Sequence, residues 1–182
     1  MDILKQKKNI RLQIKQAKQQ LSAVEITAQS ENIWTKLEQI PEFKAARNVL
    51  CYWSLPFEVE THQFIIRNYK HKTFYLSKVV GRQLTLHKFI GVDSLKRSSY
   101  GIMEPEGYTL DNLELIDFAI VPGIAFTING QRLGRGGGYY DSLLPQLTNA
   151  LKVGVGFNFQ LLKEVACEAH DFIIDKIIIA DK

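Results

Sequence analysis

The sequence predicts a three-layer α/β/α domain with a largely parallel central sheet and an N-terminal helical hairpin packed on it. Short apolar runs of strand length alternate with segments of helical period. Two helical patterns in succession open the chain. A glycine-rich stretch at 130–138 then lies between a strand-like and a helix-like segment, where α/β folds bind ligands. At 182 residues the chain reads as one domain, 1–182, large enough to bury a core.

Residues 3–21 read as a helix. Ile10, Ile14, Ala17 and Leu21 form its buried stripe, with Lys7, Arg11, Lys15 and Lys18 as a basic stripe beside it. Ser22 and Glu25 have capping-box spacing, so a second helix starts there. It carries Ile26, Ile33, Trp34 and Leu37 and ends near Pro41. Residues 48–54 are almost continuously apolar, as in a central strand, and Pro56 breaks the run. Thr61 is expected to cap a helix reaching about Tyr69. Residues 73–80 read as a strand, 83–90 as an alternating edge strand, and 91–116 as mostly loop. Residues 117–121 form a short buried strand ending at Pro122 and Gly123. Residues 125–133 read as a hairpin turning at Asn129-Gly130, the pair favoured in type I′ turns. A helix starts at 139–144, and strands follow at 152–157 and 172–179.

Composition narrows the function classes. No apolar run approaches the ~18 residues of a membrane helix. The lysine-rich start lacks the apolar centre of a secretory signal. Cys51 and Cys167 stand far apart without histidines at metal spacing, which reads as reduced thiols in the cytoplasm. Charge is uneven: residues 1–21 hold six basic side chains against Asp2 alone, while the remainder has 17 basic and 18 acidic. That local excess fits an anion partner or a solvated face. No interleaved basic and aromatic surface supports nucleic acid. The expectation is a cytoplasmic monomer acting on small molecules, with neither nucleic acid nor membrane as partner.

The chemistry concentrates in residues 129–141, NGQRLGRGGGYYD, which hold five of the twelve glycines. Glycine permits positive φ and close backbone approach. Successive N–H groups in one concavity bind anions, and a helix start adds further donors. Arg132 and Arg135 supply counter-charge, and Asp141 is placed to hold a cation beside the anion. The stretch is neither a Walker A loop nor a dinucleotide fingerprint, since no Gly-Lys-Ser/Thr follows and Tyr139 stands at the last glycine position. The bland alternative is a glycine-rich surface turn.

Other candidates are weaker. Glu58 and Glu60 follow a strand end, where they either contact a substrate or complement a helix dipole. Trp53 and Tyr100 either sandwich a flat heterocycle or fill the core. Asp171 and Asp175 are candidate second metal ligands. None of the four histidines has a convincing nucleophile partner, which argues against triad chemistry.

On these residues the chain resembles the 5-formyltetrahydrofolate cyclo-ligase family, also called methenyltetrahydrofolate synthetases. The similarity runs through residues 129–141, the preceding Val121-Pro122-Gly123, residues 58–61, Tyr100-Gly101-Ile102 with Glu104-Pro105, and His170-Asp171 with Asp175. It covers nearly the whole chain. It implies an ATP- and Mg²⁺-dependent ring closure of 5-formyltetrahydrofolate to 5,10-methenyltetrahydrofolate through a phosphorylated formyl oxygen. It implies Arg135 and Lys7 as catalytic cations. ATP would lie against Lys7, Lys8, Arg11, Arg132, Leu133, Gly134, Arg135, Gly136, Gly137, Gly138, Tyr139 and Tyr140. The folate would lie against Trp53, Glu58 and Tyr100, with Arg135, Gly136, Gly137, Gly138 and Tyr139. Asp141 would hold Mg²⁺, with Asp171 as a second carboxylate. Two positions depart from the family pattern: Thr127 replaces a common acidic residue, and Tyr100 a tryptophan found in some relatives. A phosphosugar enzyme built on the same cradle is the rival reading.

Overall fold

The computed structural model describes residues 2–98, 102–168 and 171–181. Tyr100 and His170 lie outside the described residues. Helix α1 (Ile3–Gln19) leads into α2 (Ala23–Leu37), and the short α3 (Pro41–Ala45) follows. Strands β1 (Asn48–Cys51), β2 (Thr73–Val80), β3 (Gln83–Lys88), β6 (Phe118–Val121), β9 (Leu151–Gly156) and β10 (Lys176–Ile179) form one sheet in the order β10-β9-β6-β1-β2-β3. All neighbours are parallel except β2 and β3. Helix α4 (His62–Asn68) lies between β1 and β2 in the chain. Two small pairs stand apart: β4 (Leu95–Arg97) with β5 (Met103–Pro105), and β7 (Ala125–Phe126) with β8 (Arg132–Leu133). Helix α5 (Tyr139–Leu143) follows the glycine-rich loop.

Strand period sorts the core. Val49, Cys51, Phe118 and Ile120 pack with Ile33, Trp34, Phe43 and Phe64 from α2–α4. Leu50, Ala119 and Val121 face the opposite way, onto Leu143, Leu144 and Leu147. Helix α1 packs on neither face. Its Ile14 joins Ala125, Leu133 and Val165 in a separate small cluster, so α1 covers the β7–β8 hairpin.

Several expectations need correction. The inward face of α1 mixes the two stripes: Lys7, Ile14 and Lys18 are buried, while Lys15 is exposed. Thr61 does not cap α4, because its hydroxyl donates to the Tyr52 carbonyl at 2.7 Å and accepts the Ser54 N–H at 3.0 Å. Glu60 Oε1 caps instead, accepting the His62 N–H. Residues 172–175 are not strand: Ile174 N–H turns aside to donate to the Gly130 carbonyl. The hairpin turn is not type I′, since Phe57 is the only described non-glycine with positive φ. Gly130 alone takes the left-handed position, with φ 84°, and its N–H donates to the Thr127 carbonyl. That is a type I turn closed by a glycine bulge. The β4–β5 pair lies inside the segment read as loop.

Candidate active site

The chain runs outward from β1 to β2 and β3, then returns to β6 beside β1 and runs outward again through β9 and β10. The order therefore reverses between β1 and β6. A crevice beyond the carboxyl ends of strands is expected at such a point. A cleft of about 290 Å³ lies there, floored by Tyr52 and Trp53 after β1 and by Pro122 and Gly123 after β6.

The cleft brings together Trp53, Glu58, Arg132, Gly134, Arg135, Gly136, Gly137, Gly138, Tyr139, Tyr140 and Asp141. The β2–β3 part of its far wall was not legible from sequence. Ser77 and Val79 of β2 with Leu84 of β3 form that part, and Ile102, just before β5, with Met103 and Glu104 of β5 form the rest. The wall residues of β2 and β3 alternate like any others in a half-buried strand, so no local signal separates them.

Glu58 is held by a turn. Its N–H donates to the Leu55 carbonyl at 3.1 Å, and its Oε2 accepts the Leu55 N–H at 2.9 Å. Pro56 takes the second position of this turn and Phe57 the third, with φ 64°. That is type II geometry, where glycine is the usual third residue. The segment is then clamped at its end. Ser54 Oγ accepts the Thr61 N–H, and α2 supports Glu60 through Ser30 Oγ and the indole N–H of Trp34. Glu58 Oε1 meets Arg135 Nη2 at 2.6 Å across the cleft.

Trp53 stacks on His62 at 4.1 Å between ring centres and packs against Phe89 at 5.7 Å, which fixes its ring. His62 also faces Ser54 Oγ at 3.2 Å and Glu60 Oε1 at 3.3 Å. The order Ser-His-Glu suggests a triad, but Ser54 is buried and outside the cleft lining, with its Oγ committed to Thr61 N–H. It is a structural clamp, as the sequence argument against triad chemistry expects.

The glycine-rich loop needs its glycines at Gly136 and Gly138, with φ 103° and 68°. Helix α5 is only five residues long, so its dipole adds less than the sequence suggests. Arg132 is buried. Its Nη2 donates to Asp141 Oδ1 at 2.7 Å and its Nη1 to the Pro122 carbonyl at 3.3 Å. It therefore positions Asp141 more than it offers charge to solvent. Asp141 Oδ1 also accepts a long 3.4 Å bond from Phe172 N–H. Tyr140 donates to or accepts from Ser77 Oγ at 3.2 Å, and burial pushes its phenol well up.

Other candidates stand beside the cleft. Arg11 Nε donates to the Gly134 carbonyl at 2.9 Å, tying α1 to the loop. Lys7 Nζ lies 2.7 Å from both Asp171 Oδ2 and Glu168 Oε2. Burial alone would lower the Lys7 ammonium, but these hydrogen bonds outweigh it and raise its pKa. Lys7 and Asp171, assigned to different ligands from sequence, thus neutralise each other here. Lys8 is on the exposed face of α1. Leu133 turns its side chain into the α1–hairpin cluster. Asp175 accepts the Lys152 N–H at 2.7 Å, at the start of β9 and outside the cleft lining.

The model of the 5-formyltetrahydrofolate cyclo-ligase family matches residues 3–180. The chain belongs to this family. A probable cyclo-ligase of Schizosaccharomyces pombe is 30% identical over 176 residues, covering 86% of each chain. The mouse cyclo-ligase is 26% identical, over 96% of this chain and 94% of its own. The solved 5,10-methenyltetrahydrofolate synthetase of Aquifex aeolicus superposes with a TM-score of 0.85 at 35% identity, covering 95% of this chain and 89% of that one. Membership makes the chain an enzyme with cyclo-ligase activity on a small-molecule folate. No helix among the described residues is long and apolar enough to cross a membrane.

Proposed function

We propose that this cyclo-ligase spends ATP, with Mg²⁺, to convert 5-formyltetrahydrofolate to 5,10-methenyltetrahydrofolate, ADP and phosphate, as a cytoplasmic monomer. The observation that carries the reading is one cleft that joins an aromatic and carboxylate half, Trp53 and Glu58, to a glycine-lined half with Arg135 and Asp141. A heterocycle suits the first half and a phosphate chain the second.

An amide carbonyl is a poor electrophile. Transfer of the γ-phosphoryl group to the formyl oxygen forms the O–P bond and breaks the bond to ADP. N10 then adds to the formyl carbon and loses its proton, and the C–O bond breaks to release phosphate. Such a reaction needs positioning and charge stabilisation more than a covalent residue. The backbone N–H groups of residues 134–139 and the Arg135 guanidinium would hold the phosphates. Glu58 would accept N–H groups of the pterin against Trp53.

Among the described residues no three His, Cys, Asp or Glu side chains could hold a metal alone. Mg²⁺ commonly takes one or two carboxylates and completes its shell with substrate phosphates and water. Asp141 fits that pattern: it lines the cleft, and no hydrogen bond reaches its Oδ2 among the described residues. Mg²⁺ bound there would neutralise charge on the phosphate chain. Asp171 is paired with Lys7 through Oδ2, and opening that pair would free Asp171 for the metal and Lys7 for a phosphate. Lys7 and Arg11 lie one turn apart on α1, both on its less exposed side.

The test is an absorbance time course of the methenyl chromophore, with 5-formyltetrahydrofolate, Mg²⁺ and ATP. Growth that requires ATP and Mg²⁺ is the expected result. Well-folded protein that gives none would sink the proposal and favour the phosphosugar reading.

A further inference from the structure

Lys18 is a buried cation for which the reaction above has no use. It lies on α1 in the inward row Lys7, Arg11, Ile14, Lys18, is 8% exposed, and its Nζ makes no direct hydrogen bond or ion pair among the described residues. An unpaired buried ammonium is costly, so the position calls for a reason. Its surroundings supply one. A polar cavity of about 10 Å³ is lined by Lys18, Tyr52, Glu58, Pro122, Gly123 and Gln160. That is roughly the room one water needs. Glu58, Tyr52, Pro122 and Gly123 also line the large cleft, so Glu58 forms part of the partition between the two spaces.

Gln160 is engaged elsewhere. Its Oε1 accepts the Phe157 N–H, and its Nε2 donates to the carbonyls of Gly123 and Ile124. The charged and titratable groups facing Glu58 are Arg135 from the glycine-rich loop, Lys18 from α1, and the phenols of Tyr52 and Tyr140. Burial pushes the Lys18 ammonium down, Glu58 pulls it back up, and Arg135 opposes that pull. Lys18 and Glu58 thus border the same small cavity, while Arg135 pairs with the carboxylate from the cleft. Arg135 is 60% exposed on a glycine-rich loop, whereas Lys18 is fixed in a helix.

We propose that Lys18 is a positioning residue for Glu58, a fixed positive charge behind the carboxylate that keeps it in place for the pterin when Arg135 leaves it for the phosphates. This rests on the reading of the cleft given above. Without Lys18, a Glu58 released by Arg135 would face the folate with no counter-charge except the turn N–H of Leu55. With Lys18, one side chain can serve the nucleotide without disordering the other substrate's anchor.

The experiment compares wild type, Lys18→Met and Lys18→Arg. Calorimetry measures 5-formyltetrahydrofolate affinity with Mg²⁺ and a non-hydrolysable ATP analogue present, and methenyl absorbance gives kcat and both KM values. Lys18→Met should weaken folate binding and raise folate KM about five- to tenfold, while kcat and ATP KM stay within about twofold, the scale of one lost partly screened charge interaction. Lys18→Arg should restore most of the folate affinity. Methionine keeps the stem and removes the buried charge, so melting temperature should hold or rise. Unchanged folate affinity in Lys18→Met, or equal effects on both substrates, overturns the proposal. Wild type that binds the folate but never turns it over sinks the ligase chemistry while the affinity comparison still decides Lys18. Wild type that binds no folate overturns both.

Discussion

Arg135 and Glu58 close on each other across the cleft, Nη2 to Oε1 at 2.6 Å, so each occupies the other's hydrogen-bonding face. The two residues serve different substrates in the proposed reaction and cannot do so while paired. Arg135→Ala should cost on the order of 2–4 kcal/mol of transition-state stabilisation, as loss of a preorganised donor does. The pair is largely solvent-exposed on the arginine side, so stability should fall by under about 1 kcal/mol. Glu58→Gln should raise folate KM more than ATP KM. Steady-state kinetics beside urea melts separate these effects, and an unchanged rate for Arg135→Ala puts Arg135 outside the chemistry.

Asp141→Asn should abolish turnover, and it should not be silent for folding. The buried Arg132 guanidinium loses its neutralising partner, and breaking such a pair costs roughly 3 kcal/mol. Activity must therefore be assayed well below the melting temperature. Folded Asp141→Asn protein with wild-type rates would remove Asp141 from any metal role.

Phe57 occupies a left-handed position, with φ 64°, so that Glu58 can face the cleft. Phe57→Val should cost about 1–3 kcal/mol, because a branched side chain tolerates that region poorly. Phe57→Gly should stay within about 1 kcal/mol of wild type, since relief of strain offsets added freedom in the unfolded chain. Chemical denaturation of the two variants checks this. Equal losses would mean that the φ value is not the source of strain.

The Ser22–Glu25 capping box sets a pH dependence. The Ser22 backbone N–H, and then its hydroxyl, hold the Glu25 carboxyl below its usual value of 4.5. A depressed folded-state value contributes stability that is present above 4.5 and is lost as pH falls through the lower folded value. Because α2 carries Ser30 and Trp34, which support Glu60, loosening its start also loosens the carboxylate loop. Acid titration of denaturation midpoints should show a shallower fall for Glu25→Gln than for wild type. Parallel curves would assign the acid limb to other carboxylates.

Sequence carried the sheet, the capping box and the glycine-rich loop at the cleft, because each is written in local period or local composition. It carried much less of what distant residues do to one another. Thr61 has the right spacing for a cap, yet Tyr52 and Ser54 claim its hydroxyl. Glycine inside a strand often marks a close backbone, but at Gly154 side chains fill the space: a Cβ there would lie 2.7 Å from the Phe126 ring. Lys7 and Asp171 read as ligands for opposite charges, and only the fold shows them bound together across 164 positions. The β2–β3 wall of the cleft gives no local signal at all.

Helix α1 reaches the rest of the molecule through Lys7 to Asp171 and Glu168, Arg11 to the Gly134 carbonyl, Ile10 and Ile14 at the hairpin cluster, and Lys18 on the cavity beside Glu58. It adds no strand and covers neither face of the sheet. Such a segment can open by itself while the main core remains folded, since opening free energies differ along a chain. Its departure would take Arg11 from the glycine-rich loop and Lys18 from behind Glu58 in one event. Catalysis would then fail before the protein melts, and the temperature at which activity halves should lie below the midpoint of sheet unfolding. Amide exchange along α1 should be fast compared with β1 and β6, and the enzyme's working range would then be set by its first helix and not by its core.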